Sequence, residues 1–142
     1  MYEVYTRQAL PSKTYRELLG TALVVFNANN AFLIENILKH SNHRNYNWYQ
    51  LIDLQSGELK QHLHAFNNYD NCETIVSLFT QLVKDRNRIV HSFQITDKDD
   101  EQRLATKDRT HHQFVITEAF LLDFIQKNET LSLELYNIRD GK

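Results

Sequence analysis

Hydrophobic residues recur at intervals of three and four over long stretches of the chain, a spacing that places them on one face of a helix. From residue 12 to about 40, Leu18, Leu19, Ala22, Leu23, Phe26, Phe32, Leu33, Ile37 and Leu38 keep this period. Pro11 closes an amino-terminal arm of residues 1–11, and Ser12 stands where the helix needs an N-cap. Asn27, Asn29 and Asn30 interrupt the stripe, and as weak helix formers they mark either a bend or a polar contact. The polar residues 41–47 read as a loop. A short helix over 48–54, a break at Ser56-Gly57 and a second short helix carrying Leu59, Leu63 and Phe66 follow. Residues 67–71 form another loop, with Asn71 as N-cap of the most strongly patterned helix, 72 to about 94, marked by Ile75, Leu78, Phe79, Leu82, Ile89, Val90 and Phe93. Residues 96–101 are polar and acidic, and the brief apolar runs 103–106 and 113–116 flank a polar turn. Their alternation is too short to separate a β-hairpin from a long connection. Thr117 caps a last helix over 117–140 that carries Phe120, Leu121, Phe124, Ile125, Leu131, Leu135, Tyr136 and Ile138 and ends near Gly141.

Three glycines and one proline are few turn formers for 142 residues, which favours long helices over many short strands. The expectation is one all-α domain, an up-and-down bundle of four to five helices, with residues 95–116 as a loop or short β-hairpin before the last helix. A net charge of −2 gives no global attraction for nucleic acid, so a phosphate-binding surface would have to be local. A single cysteine, Cys72, forms no internal disulfide and points to a reducing compartment, the cytoplasm. The amino terminus lacks a basic segment followed by an apolar run, and the apolar stretch 18–26 is broken by Gly20 and Thr21, far short of the ~20 residues of a membrane span. A soluble protein with no membrane partner is expected.

One position breaks the apolar stripe of helix 72–94. Arg86 occupies the place between Leu82 and Ile89 that should continue it, within Arg86-Asn87-Arg88-Ile89-Val90-His91. A guanidinium is rarely buried without a partner, so the stripe should meet a polar cleft or a second protomer there. At about 100° per residue, Asn87 and His91 share one side of the helix, while Arg86 lies roughly 140° from His91. A long arginine can still reach that side. If the cleft held a phosphodiester, His91 would exchange protons with the ribose 2′-hydroxyl or the leaving 5′-oxygen. Arg86 would stabilise the phosphoryl oxygens, and Asn87 would orient the imidazole or a phosphate oxygen. Lys84 and Arg88, with Arg86, outnumber the one acid, Asp85, and suit RNA backbone contacts. No metal or cofactor is required.

The hexamer resembles the R-x4-6-H signature of HEPN domains, including their preference for a polar residue directly after the arginine. HEPN domains are small, helical and usually dimeric. Many are metal-independent endoribonucleases of toxin–antitoxin, anti-phage and RNA-processing systems. The resemblance implies that Arg86, Asn87 and His91 map onto the family's catalytic positions, that the cleft forms where two copies of the motif helix meet in a homodimer, and that RNA and an antitoxin protein are the partners to look for. Its specific part is six residues long; the bundle likeness extends loosely over residues 12 to 140. HEPN toxins controlled by nucleotidyltransferases often carry a tyrosine two residues after the histidine. Here Ser92 and Phe93 follow, which argues against that control, and no nucleotidyltransferase signature is present.

Two other readings stand beside the nuclease. The same helix can serve as a non-catalytic dimerisation or protein-interaction module, or as an RNA binder without turnover. Remaining candidates are weaker. His62 and His64 fall on opposite sides of a helix, and His40 and His43 have an i, i+3 spacing but no further ligand nearby. His111-His112 belongs to a turn. Residues 97–101 resemble a calcium loop in charge alone. Cys72, at a helix start, is either a thiol of lowered pKa or a small capped-turn residue. Tyr46, Trp48 and Tyr49 either stack bases or form a satellite apolar cluster over the bundle end.

Overall fold

The computed structural model describes residues 1–40 and 47–141. Helix α1 (Lys13–His40) begins where the serine cap predicts: the Ser12 Oγ accepts from the Tyr15 amide at 3.2 Å. The arm before it contains one 3-10 turn, Tyr2–Tyr5, and is tied down by Arg16, whose Nε donates to the Pro11 carbonyl at 3.0 Å and whose guanidinium also reaches the Tyr2 hydroxyl. The asparagines of α1 make polar contacts within one continuous helix. Asn29 is buried and its Nδ2 donates to the Asn128 carbonyl and Oδ1 at 2.7 and 3.0 Å, while Asn30 accepts from the Ser56 hydroxyl at 3.0 Å. By length and composition alone α1 is apolar enough to cross a membrane, a test that the core helix of a soluble protein also passes. Its buried face includes Asn29 and Asn36 beside Phe26, Leu33, Ile34 and Ile37, and it packs mainly on the last helix.

After the segment 41–46, which lies outside the described residues, Asn47 and Gln50 form a reciprocal capping box that starts α2 (Trp48–Ile52). The expected break at Ser56-Gly57 is displaced. Residues 53–55 form the break, Gln55 adopts an extended cap, and Ser56 opens α3 (Ser56–Leu59), because its buried hydroxyl is drawn onto Asn30 of α1. A 3-10 segment, Lys60–Phe66, continues directly from it and buries Leu63 and Phe66.

Helix α4 (Cys72–Val90) starts after Asn71 as expected, but Asn71 does not cap it. Its Nδ2 instead donates to the Glu134 carboxylate at 2.6 Å. α4 is also shorter than its periodicity suggests. The Ser92 hydroxyl donates to the Ile89 carbonyl at 2.6 Å, and Phe93 leaves the helical stripe to pair with Ala105 in a strand, where it is 40% exposed.

Three antiparallel strands follow, β1 (Phe93–Thr96), β2 (Gln102–Lys107) and β3 (Gln113–Ile116), in the order β1-β2-β3. The two connections share one plan. Asp97 accepts through Oδ1 from the amides of Asp99 and Glu101, Asp108 from those of Thr110 and His112, and the residue before each closing position, Asp100 and His111, has φ of 61° and 65°. Tyr15 fastens the sheet to the helices. Fully buried, its hydroxyl donates to the Ile116 carbonyl at 2.6 Å and accepts from the Leu104 amide at 3.1 Å.

Thr117 caps α5 (Glu118–Arg139) through a hydrogen bond from the Phe120 amide, and Gly141, at φ 76°, follows its end. The chain is therefore mostly helical, as expected, but carries a three-stranded antiparallel sheet whose first strand takes Phe93 and Gln94 from the end of the expected helix and Ile95 and Thr96 from the segment after it. At the centre of its core Phe26 of α1 lies against Phe79 of α4 and Phe124 of α5, ring centroids 6.3 and 6.1 Å apart.

Candidate functional site

The carboxyl-terminal turn of α4 and the middle of α1 enclose a cleft of about 430 Å3. Arg86, Asn87, Val90 and His91 line one wall; Asn27 and Asn30 of α1 with Ile52, Leu54, Gln55 and Ser56 line the other. The three motif residues thus open on a single cavity, despite the angle between Arg86 and His91 around the helix.

The cation in the apolar stripe has its partner in an aromatic face. The Arg86 guanidinium carbon sits 5.0 Å from the Phe26 ring centroid, and Arg86 Nε donates to Asn87 Oδ1 at 3.1 Å. Burial lowers its pKa, yet arginine stays charged at any physiological pH. Asn87 is exposed, and its side-chain carbonyl is occupied by Arg86, so the carboxamide orients the guanidinium; its Nδ2 makes no hydrogen bond to a described residue. The expected bond from Asn87 to the imidazole is not formed. His91 is the C-cap of α4, its amide bonded to the Asn87 carbonyl at 3.0 Å, and its exposed imidazole makes no hydrogen bond to a described residue.

Asp85, counted in the sequence as the acid among these cations, packs toward α5, though it still feels the charge of Arg88. It is buried against α5, accepts from Gln81 Nε2 at 2.9 Å and lies 4.0 Å from Lys127 Nζ. Burial raises its carboxyl pKa, an effect the Gln81 bond and Lys127 oppose. Lys84 and Arg88 do not enter the cleft. They line a neighbouring groove of about 600 Å3 with Asn87 and the β2–β3 turn, and the Arg88 guanidinium stacks 5.0 Å from the Phe114 ring centroid.

Compared with family models, curated proteins and solved structures, the chain matches none. The site must be argued from its own geometry.

Residues that the pattern of α4 could not supply are Asn27, Asn30, Gln55 and Ser56, across the cleft. Their one signal in the sequence was the run of asparagines inside an apolar helix. The weaker candidates stand apart from the cleft. His40 packs edge-on to Phe66 and Tyr69, its Nδ1 3.1 Å from the Tyr69 hydroxyl, and burial and Lys39 depress its pKa; His43 lies outside the described residues. His64 bonds the Gln61 carbonyl, and no group of three metal-ligating side chains occurs among the described residues. The acidic segment 97–101 is the first strand connection. Burial raises the Cys72 thiol pKa, which removes the activated-thiol reading. Trp48 and Tyr49 meet edge to face at the surface, 39% and 75% exposed; Tyr46 lies outside the described residues.

A fixed cation, an amide and a solvent-accessible imidazole on one cavity can bind an oxyanion and exchange a proton beside it.

Proposed function

We propose that this chain is a HEPN-like, metal-independent endoribonuclease of the cytoplasm, acting as a homodimer whose helical body is an up-and-down bundle. The supporting observation is that Arg86, Asn87 and His91 line one cleft, with the cation held against Phe26 and the imidazole left open. In the reaction the 2′-oxygen attacks phosphorus and the bond to the 5′-oxygen breaks, giving a 2′,3′-cyclic phosphate and a 5′-hydroxyl. His91 takes the 2′-hydroxyl proton, and His91 of a second copy gives one to the departing 5′-oxygen. Arg86 neutralises the charge that grows on the phosphoryl oxygens, and Asn87 holds Arg86 in position. Single-stranded RNA should be cleaved in the presence of EDTA, with His91→Ala at least ~10²-fold slower. Because His91 is exposed, that variant should melt where the wild type does. An inert wild type, or His91→Ala cleaving at the wild-type rate, refutes the assignment.

A second reading draws on the apolar surface beside the cleft. Val90 is 53% exposed and Phe93 40%, a patch that suits a helical dimerisation or protein-interaction module without catalysis. It predicts an inert wild type whose dimer dissociates on Arg86→Ala. RNA, a second copy and an antitoxin protein are the partners to assay.

A further inference from the structure

The groove beside the cleft has no role in the reaction above, and its composition is unlike the rest of an acidic chain. Lys84 and Arg88 of α4 face Lys107 and Arg109 of the β2–β3 turn, four cations against one acid, Asp108. That acid is engaged by its own turn. Its Oδ1 accepts from the Thr110 amide and hydroxyl and from the His112 amide, at 2.9, 2.7 and 2.9 Å. The Arg88 guanidinium carbon lies over the ring of Phe114, 5.0 Å from its centroid, which orients one of the four cations.

Groove and cleft adjoin at Asn87. That residue lines both, and Lys84, Asn87, Arg88 and the C-cap His91, paired at spacings of three (84/87, 88/91) and four (84/88, 87/91), share one strip at the end of α4. From Lys84 to His91 the helix rises about 10 Å, which matches roughly three nucleotides of a stacked single strand. We infer that the β2–β3 turn and α4 form a phosphate track that holds single-stranded RNA on one side of the scissile bond, making the substrate an extended strand and not a dinucleotide. The inference rests on the reading of the cleft as an RNA site. An acidic peptide could meet the same charges, but the residue shared with the cleft read as a phosphodiester site and the Arg88–Phe114 pair beside it favour a nucleic acid strand.

The test uses the full chain and a 5′-fluorescein-labelled 12-nucleotide oligouridylate, read by anisotropy over a salt series. Lys107 and Arg109 are exposed turn residues, so Lys107→Ala/Arg109→Ala should keep the wild-type melting curve. The double variant should bind the 12-mer about tenfold more weakly at low salt, with the slope of log affinity against log salt reduced by about 1.4, two single-strand phosphate contacts. Binding of uridylyl-uridine, which ends within the cleft, should not change. Equal 12-mer affinity and equal slope in the two proteins overturn the track, as does polyglutamate displacing the 12-mer as well as unlabelled RNA. A 12-mer bound in this way but never cleaved overturns the nuclease and leaves the track. Cleavage that ignores Lys107 and Arg109 does the reverse.

Discussion

Replacing Phe26 by leucine separates the two jobs this ring performs, filling the core and supporting a cation. On the core side Phe26 meets Phe79 and Phe124 at 6.3 and 6.1 Å, both within the range of favourable ring pairs worth roughly 0.5–1.5 kcal/mol each. With the packing lost to a smaller side chain, Phe26→Leu should cost about 2–4 kcal/mol, which a domain of ordinary stability survives. On the cleft side the ring faces Arg86 at 5.0 Å, an attraction of about 1 kcal/mol for a half-buried pair. Arg86→Met alone does not measure it, since removing a desolvated cation can itself stabilise the fold. A double-mutant cycle does. Urea unfolding of wild type, Phe26→Leu, Arg86→Met and the double variant should give a coupling energy near 1 kcal/mol, whatever the sign of the arginine effect. If Arg86→Met changes stability equally on the two backgrounds, to within about 0.3 kcal/mol, the ring does not hold the guanidinium. The same pair links core to chemistry. Arg86→Met should slow RNA cleavage by ~10²–10³, and Phe26→Leu, which only loosens the arginine, by about tenfold.

Three further outcomes follow from the packing. Tyr15→Phe leaves the buried Ile116 carbonyl and Leu104 amide without the hydroxyl that joins them, so unfolding should become easier by about 1–3 kcal/mol and the Leu104 amide should exchange faster with deuterium. His40 has a pKa depressed in the folded chain by burial and by Lys39. The stability tied to its neutral form is present above about pH 6.5 and is lost as pH falls through the depressed folded value. Urea midpoints between pH 7.5 and 5 should therefore fall more steeply for wild type than for His40→Gln; parallel curves refute this. Asp85 has the opposite linkage, since its raised folded pKa confers stability below about pH 3.9 that is lost as pH rises through the folded value. Asp85→Asn keeps an acceptor for Gln81 and should melt higher at pH 7, by a few degrees for roughly 1 kcal/mol, with the gain shrinking toward pH 4.

Helix ends with a local chemical signal were legible in the sequence. Ser12 and Thr117 each accept the amide that an N-cap should, and Gly141 takes the left-handed backbone after α5. Signals that depend on a distant partner were not. Phe93 satisfies a helical spacing and a strand equally well, and what decides between them is pairing with Ala105, twelve residues on. Asn71 marks a helix start, but nothing in its surroundings names Glu134 as its partner. The site divides in the same way. Periodicity along α4 placed Asn87 and His91 on one side and singled out Arg86, because these are relations within one helix. It could not tell which element lies opposite, so the asparagines of α1, Ser56 and the cations of the β2–β3 turn emerged only with the tertiary contacts.

Those contacts also indicate which cations are structural. Among the described residues four arginines are half-buried: Arg16, Arg86, Arg88 and Arg103. Arg16 pairs with Glu3 at 3.5 Å, and Arg103 with Asp97 and Glu118 at 3.8 and 3.5 Å, so their charges are matched within the fold. All four rest on an aromatic face, Arg16 on Tyr2, Arg103 on Tyr15, Arg86 on Phe26 and Arg88 on Phe114, but Arg86 and Arg88 have no ion pair among the described residues. An aromatic face orients a guanidinium without neutralising it or occupying its in-plane donors. A partly desolvated charge left in that state is stabilised further by any anion that reaches it. A merely structural arginine would gain most from a carboxylate of its own, as the other two have. Arg86 and Arg88 stand two residues apart on α4, one in the cleft with His91 and one in the adjoining groove, so each of the two cavities that Asn87 lines holds a cation without an ion pair for a polyanion passing over Asn87 to meet.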